Sequence, residues 1–405
     1  MSGPPFRDIV ETYILPMFPG TNIDADEFSE NHRKRVANAP GACQVYVSNN
    51  PRRGQRLTLG RSQPFEMSDL AIIDNFLTLL ANIPRETPRN LVSDLLQHSQ
   101  RRAIANSVDA NIADLLVSIF DQYSSWAEQT YEGNRIACGV GIEAGTPPGS
   151  TAAALLEVFT HDFAKVVSNG VETLLVCSQQ GNVIEHVVLP SESESENVFA
   201  PYRFGRVAKW TEGDRSAVVL NRNGDILVFR NGELRFAKRR GVWRHFTHQP
   251  IIQRMLKGGA GTAALRQSLY RTALDVSFAR TGACLAIVKD DQLNHVRTTV
   301  VQKAESVWGG TSIKAECLRT IASGAFQDIP RLRRQELAGI DGAVVLDRNG
   351  NIIDIGSIVQ IEGGSTGGGR LAATKQLSKH GLAIKVSADG AIQGFANEEK
   401  LFEVG

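Results

Sequence analysis

The sequence predicts a mixed α/β (α+β) fold, because segments with helical and strand periodicity alternate along the chain. The alternation is clearest in the C-terminal third. There, amphipathic patterns indicate helices at 263–279, 313–322, 332–338 and 370–380, and apolar runs indicate strands at 283–288, 342–346, 352–361 and 382–387. We therefore expect a central mixed sheet flanked by helices in this part of the chain.

A second observation is a series of short strand patterns joined by turns between residues 216 and 246. Apolar segments at 217–220, 226–229 and 234–237 are separated by stretches that contain Asn223-Gly224 and Asn231-Gly232. The Asn-Gly pair is a strong hairpin signal, since both residues tolerate the positive φ of a two-residue turn. This region is predicted to form an antiparallel β-meander.

The remaining sequence is less regular. Helical patterns occur at 68–80, where Ser68 is the predicted cap, and at 112–126, and a loop rich in Gly and Pro follows at 145–150. A helix is predicted at 152–167, a strand at 173–177, and a solvated acidic loop at 191–196. Three domains are predicted: a mixed α/β region at 1–145, an α/β to β-meander region at 146–255, and the α/β domain at 256–405.

Bulk composition narrows the classes of protein. The 405 residues include 44 basic and 43 acidic side chains, and this net charge of +1 creates no general attraction for nucleic acid or an anionic membrane. There is no long apolar run for a membrane span and no secretory pattern at the start, so a cytoplasmic protein is expected. The five cysteines form no Cys-x-x-Cys pair and are expected to be reduced.

Two short motifs near the C-terminus point to chemistry. Asp341-Gly342-Ala343 opens a predicted strand, and a glycine-rich stretch at 363–369 leads into Arg370 at the start of a predicted helix. A carboxylate at a strand start can hold a metal ion, and glycine amides beside a helix start can bind phosphate. Taken alone, an Asp-Gly pair is more often a turn and a glycine run is often a plain connection.

The order of the elements makes the two motifs more specific. Over about residues 262–396 the chain resembles the diadenylate cyclase domains of the DNA-integrity scanning cyclases, and it carries their Asp-Gly-Ala motif intact at Asp341-Gly342-Ala343. Their second motif, Gly-Thr-Arg-His-Arg, corresponds here to Gly368-Gly369-Arg370-Leu371-Ala372. This chain therefore keeps only the first arginine, with Leu371 and Ala372 in place of the other two side chains.

The resemblance implies that two ATP molecules condense into cyclic di-AMP with release of two pyrophosphates, across a head-to-head homodimer or a higher homo-oligomer. Asp341 and Arg370 would be catalytic, and Asp341 would hold Mg²⁺ or Mn²⁺. The regions at 1–145 and 146–255 would act as sensors or in assembly. The residues expected to bind the nucleotide are Gly342, Ala343, Val359, Thr366, Gly367, Gly368, Gly369, Arg370, Leu371 and Ser387.

Two alternatives remain open from the sequence. The domain could be a degenerate cyclase that binds a nucleotide or dinucleotide as a sensor without turning it over. The basic and aromatic run at 238–246 could instead grip single-stranded nucleic acid by charge and stacking. Given the near-neutral net charge, a strand with one charged and one apolar face is the favoured interpretation of that run.

Overall fold

The computed structural model describes residues 4–29, 34–38, 43–50, 52–84, 87–145, 153–191, 197–259, 261–301, 307, 310–361 and 368–405. The chain forms two compact units, Met1–Thr247 and His248–Gly405. Among the described helices, none combines the length and the apolar character that a bilayer span requires. The mixed α/β class predicted from the sequence is confirmed in both units.

The N-terminal unit contains two main sheets. A four-stranded sheet has the order β1-β4-β3-β2, and a seven-stranded sheet has the order β13-β12-β11-β10-β7-β8-β9, in which β7 and β8 run parallel. Its helices are α1 (Phe6–Ile9), α2 (Met67–Ala81), α3 (Arg89–Val108), α4 (Ala113–Trp126), α5 (Leu155–Val158) and α6 (Gly205–Trp210). Its strands are β1 (Asn22–Ser29), β2 (Val36–Asn38), β3 (Gln44–Ser48), β4 (Gly54–Gly60), β5 (Thr130–Tyr131), β6 (Asn134–Arg135), β7 (Cys138–Glu143), β8 (Thr173–Ser178), β9 (Val183–Val188), β10 (Ser216–Leu220), β11 (Ile226–Arg230), β12 (Glu233–Arg239) and β13 (Val242–His245).

The C-terminal unit is built on one six-stranded sheet with the order β16-β15-β14-β17-β18-β19, in which β14 and β15 run parallel. Its helices are α7 (His248–Arg254), α8 (Ala263–Ala279), α9 (Leu293–His295), α10 (Ile313–Ile321), α11 (Arg331–Ala338) and α12 (Gly369–Ser378). Its strands are β14 (Ala283–Val288), β15 (Ala343–Leu346), β16 (Ile352–Ser357), β17 (Gly381–Val386), β18 (Ile392–Ala396) and β19 (Glu399–Val404). The predicted central mixed sheet flanked by helices is therefore confirmed.

Most predicted elements are present, with some corrections. The β-meander is confirmed by antiparallel pairing of β10 to β13. Ser68 does not cap α2; Glu66 is the cap, in a capping box with Asp69, whose carboxylate accepts the Glu66 N–H at 2.9 Å. The predicted helix at 152–167 is reduced to α5 and a 3₁₀ turn at Asp162–Lys165. Residues 192–196 of the predicted acidic loop lie outside the described residues.

The predicted boundary near residue 145 falls between strands that pair with each other. β7, from the first predicted region, hydrogen-bonds to β8 and β10, which both belong to the second. The alternating apolar residues of this sheet join a core with α2 and α4, through side chains such as Phe76, Phe120 and Val140. The N-terminal unit thus buries one core that includes both regions.

A buried ion pair ties two helices of the C-terminal unit together. Arg331, the first residue of α11, donates through Nε and Nη2 to the two carboxylate oxygens of Asp275 in α8, both at 2.7 Å. Neither side chain is exposed to solvent. Each ion alone would be costly in such a site, so the pair is stable only when both partners are present.

Substitution of one partner should reveal this dependence. We expect Asp275→Asn to lower the free energy of unfolding of the C-terminal unit by about 3–5 kcal/mol, because the Arg331 charge stays buried without its counter-charge. Urea unfolding of the full chain measures the effect. As the matched control, Glu398→Gln in the exposed pair with Lys379 should change stability by less than about 1 kcal/mol. A loss of less than about 1 kcal/mol for Asp275→Asn would show that Arg331 does not depend on this buried counter-charge.

A second buried network lies in the N-terminal unit. The Asp69 carboxylate accepts from Arg61 and faces His245 Nδ1 at 2.7 Å, and all three side chains are almost fully buried. Burial lowers the pKa of His245 and outweighs the hydrogen bond to Asp69. Burial opposes ionisation of Asp69, but the hydrogen bond to His245 and the charge of Arg61 lower its pKa overall. The stable form is therefore charged Arg61 and Asp69 with a neutral histidine.

This network predicts acid sensitivity of the N-terminal unit. Below about pH 6.5 the unfolded chain protonates this histidine while the folded chain does not, so the free energy of unfolding should fall as pH falls. Because the pKa of Asp69 is also lowered, a further loss should follow below about pH 4. Urea midpoints across this pH range measure the slope. In His245→Gln the free energy of unfolding should depend less on pH between about pH 6.5 and pH 4. An unchanged dependence would remove His245 from this role.

Candidate functional site

The Asp341-Gly342 turn connects α11 to β15. Asp341 is exposed, and Gly342 has φ of 106°, which is unfavourable for any residue with a side chain. A Cβ on Gly342 would lie 2.4 Å from the carbonyl carbon of Gly356 and 2.7 Å from the Ser357 carbonyl oxygen. This close approach requires glycine and fixes the backbone next to Asp341 at the start of the strand.

Gly356 on β16 forms the other side of this contact and brings a lysine to it. Its φ is 64°, and a Cβ placed there would meet the Asp341 carbonyl oxygen at 2.9 Å. Lys314, in the first turn of α10, donates from Nζ to the Gly356 carbonyl oxygen at 2.9 Å. A cation therefore stands beside the Asp341-Gly342 turn. Sequence reasoning missed Lys314, because nothing in its own segment marks it as close to this turn.

Arg370 is the second residue of α12 and is exposed. Its Nη1 lies 2.7 Å from the position of a Cβ on Gly282, the residue before β14, and the Val386 carbonyl oxygen lies 3.2 Å from that same position. Gly282 has φ of 76°, so glycine both allows the turn and leaves room for the guanidinium. The arginine side chain therefore reaches the start of β14 and the end of β17.

The strand directions bring these residues to one edge of the sheet. β14 and β15 are parallel and both start there, with Cys284 opposite Ala343. β17 is antiparallel to β14 and ends there, with Val386 opposite Ala283. Asp341, Gly342, Arg370 and Ser387, which follows β17, are thus at the same edge.

The other residues predicted to bind a nucleotide have varied positions. Ala343 is buried in β15. Val359 is 8% exposed, pairs with Val301 as an isolated bridge and belongs to the apolar cluster under α12. Gly368 and Gly369 are exposed and Leu371 is half-buried. Thr366 and Gly367 lie outside the described residues.

Cys284 shows how close the Arg370 charge lies to the sheet. Burial raises the pKa of this thiol to about 11, while the Thr374 hydroxyl, 3.3 Å from its Sγ, and the charge of Arg370 partly oppose the rise. The thiol is therefore protonated at neutral pH and is not a nucleophile. Its role is packing between β14 and α12.

The acidic side chains of the C-terminal unit are the candidate ligands for a metal ion. Among the described residues, no group of three or more His, Cys, Asp or Glu side chains is placed to hold a metal ion. Asp354 is buried and burial raises its pKa, and its Oδ1 accepts the N–H groups of Val307 and Ile355. Asp341 is a single exposed carboxylate. That suits Mg²⁺ or Mn²⁺ arriving with a nucleotide, since Mg²⁺ commonly uses one or two carboxylates together with phosphate oxygens and water.

The basic run at 238–246 forms a hairpin rather than one strand. β12 ends at Arg239, Arg240 and Gly241 make the turn, and β13 follows. Its aromatic side chains are in the core: Trp243 is 2% exposed and Phe246 is fully buried. Stacking on single-stranded bases requires exposed rings, so these two do not provide it.

Comparisons with known proteins give only weak likenesses. No protein-family model matches the chain, and no curated protein matches it. A hypothetical membrane spanning protein from Bacillus cereus is 17% identical over 38% of this chain and 69% of its own, with a TM-score of 0.25. DacA from Staphylococcus aureus, a diadenylate cyclase, is 19% identical over 30% of this chain and 85% of its own, with a TM-score of 0.20. Scores this low do not identify a family.

The packing of Gly342 leads to a prediction about stability. We expect Gly342→Ala to lower the free energy of unfolding by on the order of 3 kcal/mol, because it adds a backbone clash to a strained φ. The matched control is Gly368→Ala, where φ is 90° and no atom of the described residues lies within 4 Å of the added methyl group. The control should cost about 1 kcal/mol from strain alone. Equal losses in urea unfolding would show that the close approach to Gly356 does not matter.

Proposed function

We propose that the C-terminal unit is a diadenylate cyclase domain that condenses two ATP molecules into cyclic di-AMP and two pyrophosphates. The observation that supports this most strongly is the shared sheet edge, where the exposed carboxylate of Asp341 follows α11 and the guanidinium of Arg370 lies against Gly282. An acid beside a required glycine and a fixed arginine are the groups that nucleotidyl transfer needs.

Each residue of the edge has a distinct part in the proposed reaction. Asp341 would hold Mg²⁺ or Mn²⁺ with the nucleotide, and the metal would neutralise charge on the phosphate oxygens. Arg370 would clamp a phosphate through its planar fork, and packing on Gly282 limits the orientations that the fork must lose on binding. Gly342 leaves space for the nucleotide against the backbone, and Ser387 would donate from its hydroxyl.

The stoichiometry implies a homodimer or a higher homo-oligomer. In each half-reaction the 3′-oxygen of one ATP forms a bond to the α-phosphorus of the other. The bond from that phosphorus to the oxygen that bridges the α- and β-phosphates breaks, and the hydroxyl proton passes to water. Pyrophosphate is the leaving group in each half. Because the two nucleotides attack each other, two sites must face one another, and one C-terminal unit alone would be inactive.

A second candidate function is nucleotide or dinucleotide binding without turnover. It is favoured by the first turn of α12, where Leu371 and Ala372 follow Arg370 and offer no side-chain hydrogen bond to phosphate. Each charged hydrogen bond that is missing there would weaken transition-state binding by about 1.5–3 kcal/mol. Lys314 is a cation outside α12 that could offset part of this loss.

The test is direct product analysis. Purified full-length protein is incubated with ATP, and separately with the other nucleoside triphosphates, in Mg²⁺ or Mn²⁺, and mass spectrometry monitors cyclic dinucleotide and pyrophosphate. We expect product from ATP, and at least about a 100-fold loss in Asp341→Asn. The control Asp328→Asn changes an exposed carboxylate of the same unit and should retain full activity.

Two outcomes would count against the cyclase. If no nucleotide yields a product while calorimetry detects nucleotide binding that Arg370→Gln weakens, the second candidate holds. If Asp341→Asn keeps its activity with an unchanged circular dichroism spectrum, Asp341 does not hold the catalytic metal ion.

A further inference from the structure

The two large sheets of this protein share one topology. Strands β9-β8-β7-β10-β11-β12 in the N-terminal unit and β16-β15-β14-β17-β18-β19 in the C-terminal unit follow the same order along the chain and across the sheet. In each sheet, the two strands that come first along the chain run parallel, namely β7 with β8 and β14 with β15. The other neighbouring pairs are antiparallel. In each, one helix precedes the first strand and another precedes the fourth, namely α4 and α6 in one unit and α8 and α12 in the other.

The match extends to irregular features in the last three strands. The turn between the fourth and fifth strands has a positive-φ glycine in both, Gly224 and Gly390. The next turn has a positive-φ asparagine in both, Asn231 and Asn397, with φ of 54° and 49°. The pairing register shifts at the same place, between Val228/Phe229 in one unit and between Gly394/Phe395 in the other.

The turn after the second strand is also the same. In the N-terminal unit the Ser178 hydroxyl accepts the N–H groups of Gln180 and Asn182, and in the C-terminal unit an Asp347 carboxylate oxygen accepts those of Asn349 and Asn351. Each turn then bridges to an upstream alanine, Ala154 or Ala325. Irregular features matched at equivalent positions indicate an internal duplication, with a second copy of the fold within 113–239.

The second copy differs at the catalytic positions. Glu172 takes the place of Asp341, but Thr173 replaces Gly342. Before α6 the sequence carries Glu192, Glu194 and Glu196, whereas five glycines precede or open α12. Repeated negative charge opposes a polyphosphate. The second copy is therefore not expected to bind ATP in the manner proposed for the first.

The two copies also differ on the face that α6 and α12 cover. In the C-terminal unit this space is filled, because Val296, Val300 and Val301 pack with Val288 and Leu377 in one apolar cluster. At the equivalent place the N-terminal unit has a cavity of about 430 Å³. It is lined by Glu143, Glu185, Val187, Pro190, Arg206, Lys209, Trp210, Glu212 and Arg215.

Acidic and basic side chains line this cavity together. The strands contribute Glu143, at the position of Val288, and Glu185, at the position of Asp354, and in the described part of the chain neither has an ion-pair partner. Arg206 comes from α6 and also pairs with Glu172 at 3.8 Å. Arg215 immediately precedes β10, whose first residue pairs with Ile142, next to Glu143. Lys209 and Glu212 pair with each other at 2.9 Å.

Trp210 provides an apolar wall. Its six-membered ring packs on the backbone of β7, where a Cβ on Gly141 would lie only 2.6 Å from the ring. The Arg215 guanidinium lies over the ring, with Cζ 4.9 Å from its centroid, which fixes that charge beside the cavity. The ring and the arginine thus form an apolar and basic part of the lining, and the strands add Glu143 and Glu185.

We propose that this cavity binds a small zwitterion of the α-amino acid type. The ammonium group would lie between Glu143 and Glu185, the carboxylate would accept from Arg206 and Arg215, and the side chain would pack on Trp210. A dipolar ligand matches a lining that carries both acidic and basic side chains, and the volume falls in the range of small-molecule sites. The proposal assigns ligand binding to the second copy and does not depend on cyclase activity.

Thermal shift and calorimetry test the proposal with the full-length protein. The probes are the standard L-α-amino acids, each compared with its carboxamide, which lacks the carboxylate, and its N-acetyl form, which lacks the ammonium. We expect at least one amino acid to bind saturably and neither of its analogues to bind. Glu185→Gln and Arg215→Gln should each weaken that binding at least 10-fold, whereas the control Glu157→Gln, an exposed residue outside the cavity, should not.

These measurements test amino-acid binding independently of the proposed cyclase activity. Lack of binding by every amino acid would overturn it, and so would binding that both cavity variants leave unchanged. Circular dichroism confirms that each variant is folded. Since calorimetry requires no ATP, an inactive cyclase would leave the measurement interpretable, and Asp341→Asn should bind the amino acid as the wild type does.

Discussion

The sheet edge of the C-terminal unit that carries Asp341 and Arg370 depends on the buried pair of Arg331 and Asp275. The pair joins the first residue of α11 to α8, and α11 ends three residues before Asp341. Because the ions are fully desolvated, α11 can shift only by breaking two charge-assisted hydrogen bonds. The entry angle of the chain into β15, and with it the position of the carboxylate, follows from this contact.

Glycines at the same edge allow the close contacts that position the residues of the candidate site. Gly342 and Gly356 let two backbone segments meet, and Gly282 gives the guanidinium of Arg370 a surface to lie on. Each has a positive φ, a conformation that costs non-glycine residues of order 1–3 kcal/mol, so substitution would move the functional groups as well as destabilise the unit. Lys314 adds a charge to this contact from a helix well before it in the chain.

Periodicity predicted those elements whose burial is regular. The strand at 283–288 and the helix at 263–279 were predicted to the residue, since one is a continuous apolar run and the other is amphipathic. α3 and β1 were missed, because their sequences are largely polar and give no clear apolar stripe. The site was predictable where it is local, at Asp341 and Gly342, whereas Lys314 and Gly282 reach it only through tertiary contacts. The duplication was missed because the copies share turn geometry more than sequence.

That pattern of divergence is informative about function. The features that the copies share are turns, a register shift and strand order, which are requirements of folding and carry no information about a ligand. The features that differ are the groups on the sheet surfaces and at the sheet edge: Gly342 against Thr173, and Val288 against Glu143. A duplicate that kept only a structural role would be under no physical requirement to line a cavity with charged side chains, where packing with apolar side chains, as around Val288, would stabilise it more. The cavity is therefore better explained by a ligand than by the needs of the fold.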